Sequence, residues 1–144
     1  MFELIEIHSE QKQNFHQFLN EWENKNDFIE IETSGSTGTP KKIKLLKRSM
    51  RVSATNTIEF FNLKENDSLF LCLPLHTIAA KMMIVRAIVG KMRLIIHKPS
   101  KNPLKELNQD VKLISLTPMQ MNYVMDESFH KISMIQNILL GGAP

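Results

Sequence analysis

The sequence predicts an α/β fold with a largely parallel sheet and flanking helices. Short apolar or alternating runs recur along the chain, stretches with helical spacing separate them, and glycine, proline or asparagine marks the junctions. Repeated strand–helix–strand units of this kind build a sheet covered on both faces, with right-handed crossovers. At 144 residues and 42% hydrophobic composition the chain suits one core, so residues 1–144 are expected to form a single unit.

The elements follow in order. Residues 2–7, FELIEI, alternate like a short strand, and Ser9 opens a stretch where Phe15, Phe18, Leu19 and Trp22 recur at helical spacing. DFIEIE alternates again and runs into a glycine-rich loop; KIKLL resumes beyond it, so the loop joins two strands. Ser49 is placed to cap a helix through Val52, Ile58 and Phe61 to about Leu63, with a turn at KENDS. LFLCL reads as a buried strand ended by Pro74, and residues 78–89 as a helix followed by Gly90. RLIIH, VKLISL and IQNILL are further strands, and Thr117 with Pro118 starts a helix through Met121 and Val124. No repeat, low-complexity tract or heptad array interrupts this order.

Composition excludes several classes. The net charge of +3 is compatible with anionic ligands and selects none of them. The basic run KKIKLLKR has no interleaved aromatic residue for base stacking, so it reads as a solvated strand face and nucleic acid is not an expected partner. The N-terminus lacks the basic start and continuous apolar run of a signal peptide. Residues 78–90 are interrupted by Lys81 and Arg86, whereas a membrane span needs roughly 20 apolar residues. The single cysteine, Cys72, precludes an internal disulfide. Cytoplasmic residence with no membrane partner is the expectation. His8, His16, His97 and His130 show no metal-ligand spacing with Cys72 or one another, so no structural metal is expected.

The segment TSGSTGTPKK, residues 33–42, holds two of the five glycines. Gly35 and Gly38 permit positive φ and close backbone approach, the hydroxyls and backbone N–H groups donate, and Lys41 adds a mobile ammonium after Pro40. Such a loop suits a nucleotide's phosphates. It is not a Walker A loop, because Pro40 and strand-like sequence stand where that pattern requires Gly-Lys-Ser/Thr and a helix. Composition alone leaves a flexible surface hairpin as the alternative. An exposed loop that is mobile without ligand is expected.

The order of residues in TSGSTGTPK resembles the phosphate-loop signature of the adenylate-forming superfamily of acyl- and aryl-CoA synthetases. LPLHTIAAKMMIVRAIVGKMRLI resembles its LPL-aromatic-His segment with the following helix and strand, LISLTPMQMNYVM its P-x-x-L helix, and ILLGGAP its adenine-contacting turn. The short region before the loop and the MMIVRAIVGKM helix are most similar to o-succinylbenzoate-CoA ligases of menaquinone biosynthesis.

The resemblance implies an acid-thiol ligase that uses ATP, Mg2+ and coenzyme A to turn a small carboxylate into an acyl adenylate and then a CoA thioester. Thr33, Ser34, Gly35, Ser36, Thr37, Gly38 and Lys41 would hold the ATP phosphates, and Gly141, Gly142 and Ala143 would lie against the adenine. Arg86 would recognise a second substrate carboxylate, with Thr77 and His76 lining the substrate region. Three positions depart from the family pattern: His76 replaces the aromatic residue, Thr77 the histidine and Ala80 a glycine. The family's magnesium-binding glutamate, ribose-binding aspartate and adenylation lysine all belong beyond Pro144. The catalytic residues are therefore not identified in these 144 residues. The chain is expected to be the front part of the large N-terminal domain, without the C-terminal lid and inactive alone, with exposed sheet surface favouring a homo-oligomer. A stand-alone nucleotide- or acyl-binding fragment and a nonfunctional fold remnant are the alternatives.

Overall fold

A computed structural model of the chain describes residues 2–33 and 41–142. Strand β1 (Glu3–Ile7) leads through a 3-10 turn at Ser9–Gln11 into helix α1 (Lys12–Glu23). Strands β2 (Phe28–Thr33) and β3 (Lys41–Leu46) precede helix α2 (Lys47–Phe60). The chain continues through β4 (Ser68–Leu71), α3 (Ile78–Gly90), β5 (Arg93–Ile96), β6 (Val111–Leu116), α4 (Pro118–Glu127) and β7 (Ile135–Leu140).

Among the described residues one sheet has the strand order β1-β5-β4-β6-β7, and every pairing in it is parallel. Strands β2 and β3 instead pair antiparallel as a separate two-stranded sheet. The connection through residues 34–40 is too short for a parallel crossover, which takes about a dozen residues or more.

Both faces of the main sheet are covered. Leu69, Leu71, Leu94, Ile96 and Leu113 pack on one side with Phe15 and Phe18 of α1, Met50 and Ala54 of α2, and Met83 and Ala87 of α3. Phe70, Ile95, Ile114 and Leu116 pack on the other with Leu104, Leu107 and Val124. This two-sided burial explains why β4 and β5 read as continuous apolar runs rather than alternating ones.

Two junctions differ from the sequence expectation. Ser49 does not cap α2, which begins at Lys47 after Leu46. The strand runs straight into the helix, and the Lys47 N–H donates to the Asp27 carbonyl at 2.8 Å, so one orphan donor of the first turn is already satisfied. The helix expected over residues 78–89 runs one residue further, through Gly90, and the left-handed residue that follows it is Lys91, with φ of 52°. Gly90 is closely packed: a Cβ there would displace the flexible end of Met92 and lie 3.1 Å from Ile58 Cδ1. Among the described residues no helix is long and apolar enough to cross a membrane.

Candidate functional site

The hairpin register sets Thr33 opposite Lys41, Glu32 opposite Lys42 and Glu30 opposite Lys44. Along β2 the isoleucines Ile29 and Ile31 turn inward and are buried, while Glu30 and Glu32 are exposed. Lys41, Lys42 and Lys44 of β3 are exposed, as expected for a solvated face. Lys47, from the same basic run, is buried. Ser34, Gly35, Ser36, Thr37 and Gly38 lie outside the described residues, as does the expected exposure and mobility of that loop; Thr33 is described by its backbone alone.

Beside the hairpin a cleft of about 380 Å³ is walled by Gln17, Phe18 and Glu21 of α1, Glu32 and Lys42 of the hairpin, and His76 and Lys81. Lys81 is buried, with its ammonium 3.8 Å from Glu21 Oε2 and 5.5 Å from the Phe18 ring centroid. Glu21 Oε2 makes no hydrogen bond among the described residues. The cleft therefore carries both charge signs, and a ligand in it would need to complement each. His76 is exposed at its rim.

His76 and Thr77 follow an extension of β4 that is braced from two directions. Gln11 Nε2 donates to the Leu73 carbonyl at 3.2 Å, and Gln120 Nε2 donates to the Cys72 carbonyl at 3.3 Å and to Ser100 O at 3.0 Å. Both glutamines are buried, so each amide places a donor on strand-end carbonyls inside the fold. Thr77 caps α3: its hydroxyl donates to the Pro74 carbonyl at 2.7 Å and accepts from the Ala80 N–H at 3.3 Å. Neither glutamine stood out in the sequence as a site residue. Gln120 had a readable signal, since Thr117 three residues earlier forms a capping box with it; Gln11 had none.

Arg86 lies on α3 outside the cleft shared by His76 and Lys42. It is half-buried, and its Nε is buried without a hydrogen-bond partner among the described residues. Burial lowers the guanidinium pKa from its usual range, although an arginine keeps its charge at neutral pH. A cation that is partly desolvated with a donor unsatisfied favours an incoming acceptor, and a carboxylate fits.

At the C-terminal ends of β6 and β7, Thr117 and Gly141–Gly142 come together. The Gly141 N–H donates to the Leu116 carbonyl at 3.1 Å, and Gly142 has φ of 104°, where side chains are strained. A Cβ on Gly142 would lie 3.8 Å from Thr117 Cγ2. Both glycines are exposed, leaving their backbone open to a flat ligand; Ala143 lies outside the described residues. Among the described residues no group of three or more His, Cys, Asp or Glu is placed to hold a metal ion.

Comparison with known proteins supplies the context for this geometry. The chain is 29% identical over 114 residues to a 2-succinylbenzoate–CoA ligase of Staphylococcus aureus strain JH9, a match spanning 77% of this chain and 23% of that ligase. The chain thus covers about a quarter of that relative's length. Its fold matches an acyl-CoA synthetase (AMP-forming)/AMP-acid ligase II-like protein from Dyadobacter fermentans with a TM-score of 0.82 and 30% identity, over 91% of this chain and 38% of that one. It also matches the Bacillus subtilis o-succinylbenzoate CoA synthetase in complex with ATP and magnesium ion, with a TM-score of 0.70 and 26% identity, over 80% and 25% of the two chains. The AMP-binding enzyme family matches residues 4–144, and the chain belongs to that family.

Proposed function

We propose that these residues form the front part of the large domain of an ATP-dependent acid–CoA ligase, acting on o-succinylbenzoate in the cytoplasm. The carrying observation is the hairpin that sets Thr33 opposite Lys41 across the TSGSTGTPK sequence, beside a cleft that also takes His76. In this reading a substrate carboxylate oxygen attacks the α-phosphorus of ATP and the bond to pyrophosphate breaks. The CoA thiol, losing its proton, then attacks the acyl carbonyl and AMP departs. Backbone and hydroxyl donors of residues 33–38, with Lys41, would receive charge on the leaving pyrophosphate. Gly141, Gly142 and Ala143 would face the adenine, and Thr77 and His76 would border the acyl region. The described residues offer no group of three or more His, Cys, Asp or Glu placed to hold magnesium.

The substrate assignment is supported by Arg86, whose buried Nε has no hydrogen-bond partner among the described residues and to which the resemblance gives the role of recognising a second carboxylate. In a complete ligase containing these residues, Arg86→Ala should weaken kcat/KM for o-succinylbenzoate by about 2–5 kcal/mol, against much less for a benzoate lacking the second carboxylate. Equal losses for the two acids would leave a generic acyl-CoA ligase. The 144-residue chain alone should release no pyrophosphate when given ATP and an aromatic acid, because the adenylation lysine and magnesium-binding glutamate implied by the resemblance are not among its residues. Acid-dependent release from the pure chain would sink that expectation.

A further inference from the structure

Lys47 is a buried cation in the first turn of α2, the end of a helix at which the backbone dipole disfavours positive charge. Its ammonium reaches instead to the opposite kind of helix end. It donates to the backbone oxygen of Asn24 at 2.9 Å and to Asn24 Oδ1 at 3.0 Å, and Asn24 is the residue that terminates α1. There the exposed carbonyls and the dipole both favour a cation. One turn further along α2, the Arg51 guanidinium carbon lies 4.8 Å from the centroid of the Trp22 ring, in the last turn of α1.

These two contacts flank the base of the hairpin, where the Lys47 N–H also closes onto Asp27 O at 2.8 Å. Among the described residues the β2–β3 hairpin shares no strand pairing with the main sheet, and a lone two-stranded hairpin is marginally stable at best. Its inward residues, Ile29 and Ile31, pack in the same core as Phe18 and Trp22 of α1. Non-directional apolar packing holds the hairpin down; the hydrogen bonds at Asn24 have direction and can fix its angle.

We propose that Lys47 and Arg51 are positioning residues which, gripping the last turn of α1 from one side of α2, set where the hairpin presents its Thr33–Lys41 end. The consequence for nucleotide binding rests on the phosphate-loop reading given above; the grip itself rests on the contacts just described.

Amide hydrogen exchange of the 144-residue chain and MgATP titration of a complete ligase containing these residues test it together, with Lys47→Met, Arg51→Met and Lys47→Arg. Lys47→Met keeps the apolar stem and removes the donors. It should speed exchange of residues 28–33 and 41–46 by about 10-fold while the β4 and β5 amides change by less than about 2-fold. The Kd for MgATP should rise by about 10-fold, and Lys47→Arg, which retains donors, should restore both readouts. Arg51→Met should give a smaller acceleration in the same residues, which preserves the test should Lys47→Met fail to fold. Unchanged hairpin exchange, or equal acceleration across the main sheet, overturns the grip. A loosened hairpin with unchanged MgATP affinity overturns the positioning role. An unsubstituted complete ligase that binds no MgATP overturns the phosphate-loop reading and the nucleotide consequence, while the exchange pattern still decides the grip.

Discussion

Strand β4 buries Leu69, Phe70 and Leu71 between two layers, whereas β3 has no buried residue along its length. Both are short strands in one small molecule, yet they are held in different ways. The main sheet is fixed by side chains packed above and below it, so its geometry is over-determined. The hairpin has one apolar side and depends on its neighbours for orientation. A segment of the second kind can adjust to a ligand, because fewer contacts must change when it moves.

The largest expected effect falls in the sheet. Leu94 on β5 is fully buried between β1 and β4, and Leu94→Ala should cost about 2–5 kcal/mol in urea denaturation, through lost burial and a residual cavity. Fluorescence from Trp22 and far-ultraviolet circular dichroism should then report one shared shift. Separate transitions would break the contrast, by showing that the sheet is not a single cooperative unit.

A smaller loss belongs to the brace between layers. Gln120→Ala leaves the Cys72 and Ser100 carbonyls without that donor and removes one half of the capping box at Thr117, for about 1–3 kcal/mol. Chemical denaturation measures it, and a neutral result would mean that water replaces the amide. The smallest effect belongs to the hairpin surface. Lys44 places its ammonium 4.3 Å from the Phe28 ring centroid in a solvated setting, so Lys44→Ala should change stability by about 0.5–1 kcal/mol. A cost as large as that of Leu94→Ala would abolish the distinction between the two regions.

Much of the main sheet is legible in the sequence, because its central strands β4, β5 and β6 are largely apolar runs between punctuating residues and local pattern coincides there with tertiary burial. Thr117 and Pro118 mark the start of α4 for the same local reason. The start of α2 is not legible at Ser49, since the signal that counts is a carbonyl from Asp27, distant in sequence. Lys47 shows the same limit. In the run KKIKLLKR it looks like one more surface lysine, but the chain changes from strand to helix at that residue, and the change of period turns its side chain inward. The candidate site divides likewise. The resemblance singles out the Gly141–Gly142 turn and Arg86 residue by residue, whereas the Lys81–Glu21 wall of the cleft and the Gln11 brace arise only where α1 meets the rest of the fold.

Cys72 gives the molecule an internal clock. Its side chain is fully buried beside β6, with Sγ 3.7 Å from the Ser115 carbonyl, and burial pushes the thiol pKa well above its usual range. Thiolate is the reactive form, so a labelling reagent must wait for the layers to part. As Cys72 is the only cysteine in the sequence, each labelled molecule records one such parting, and the hairpin's own motions leave the count untouched.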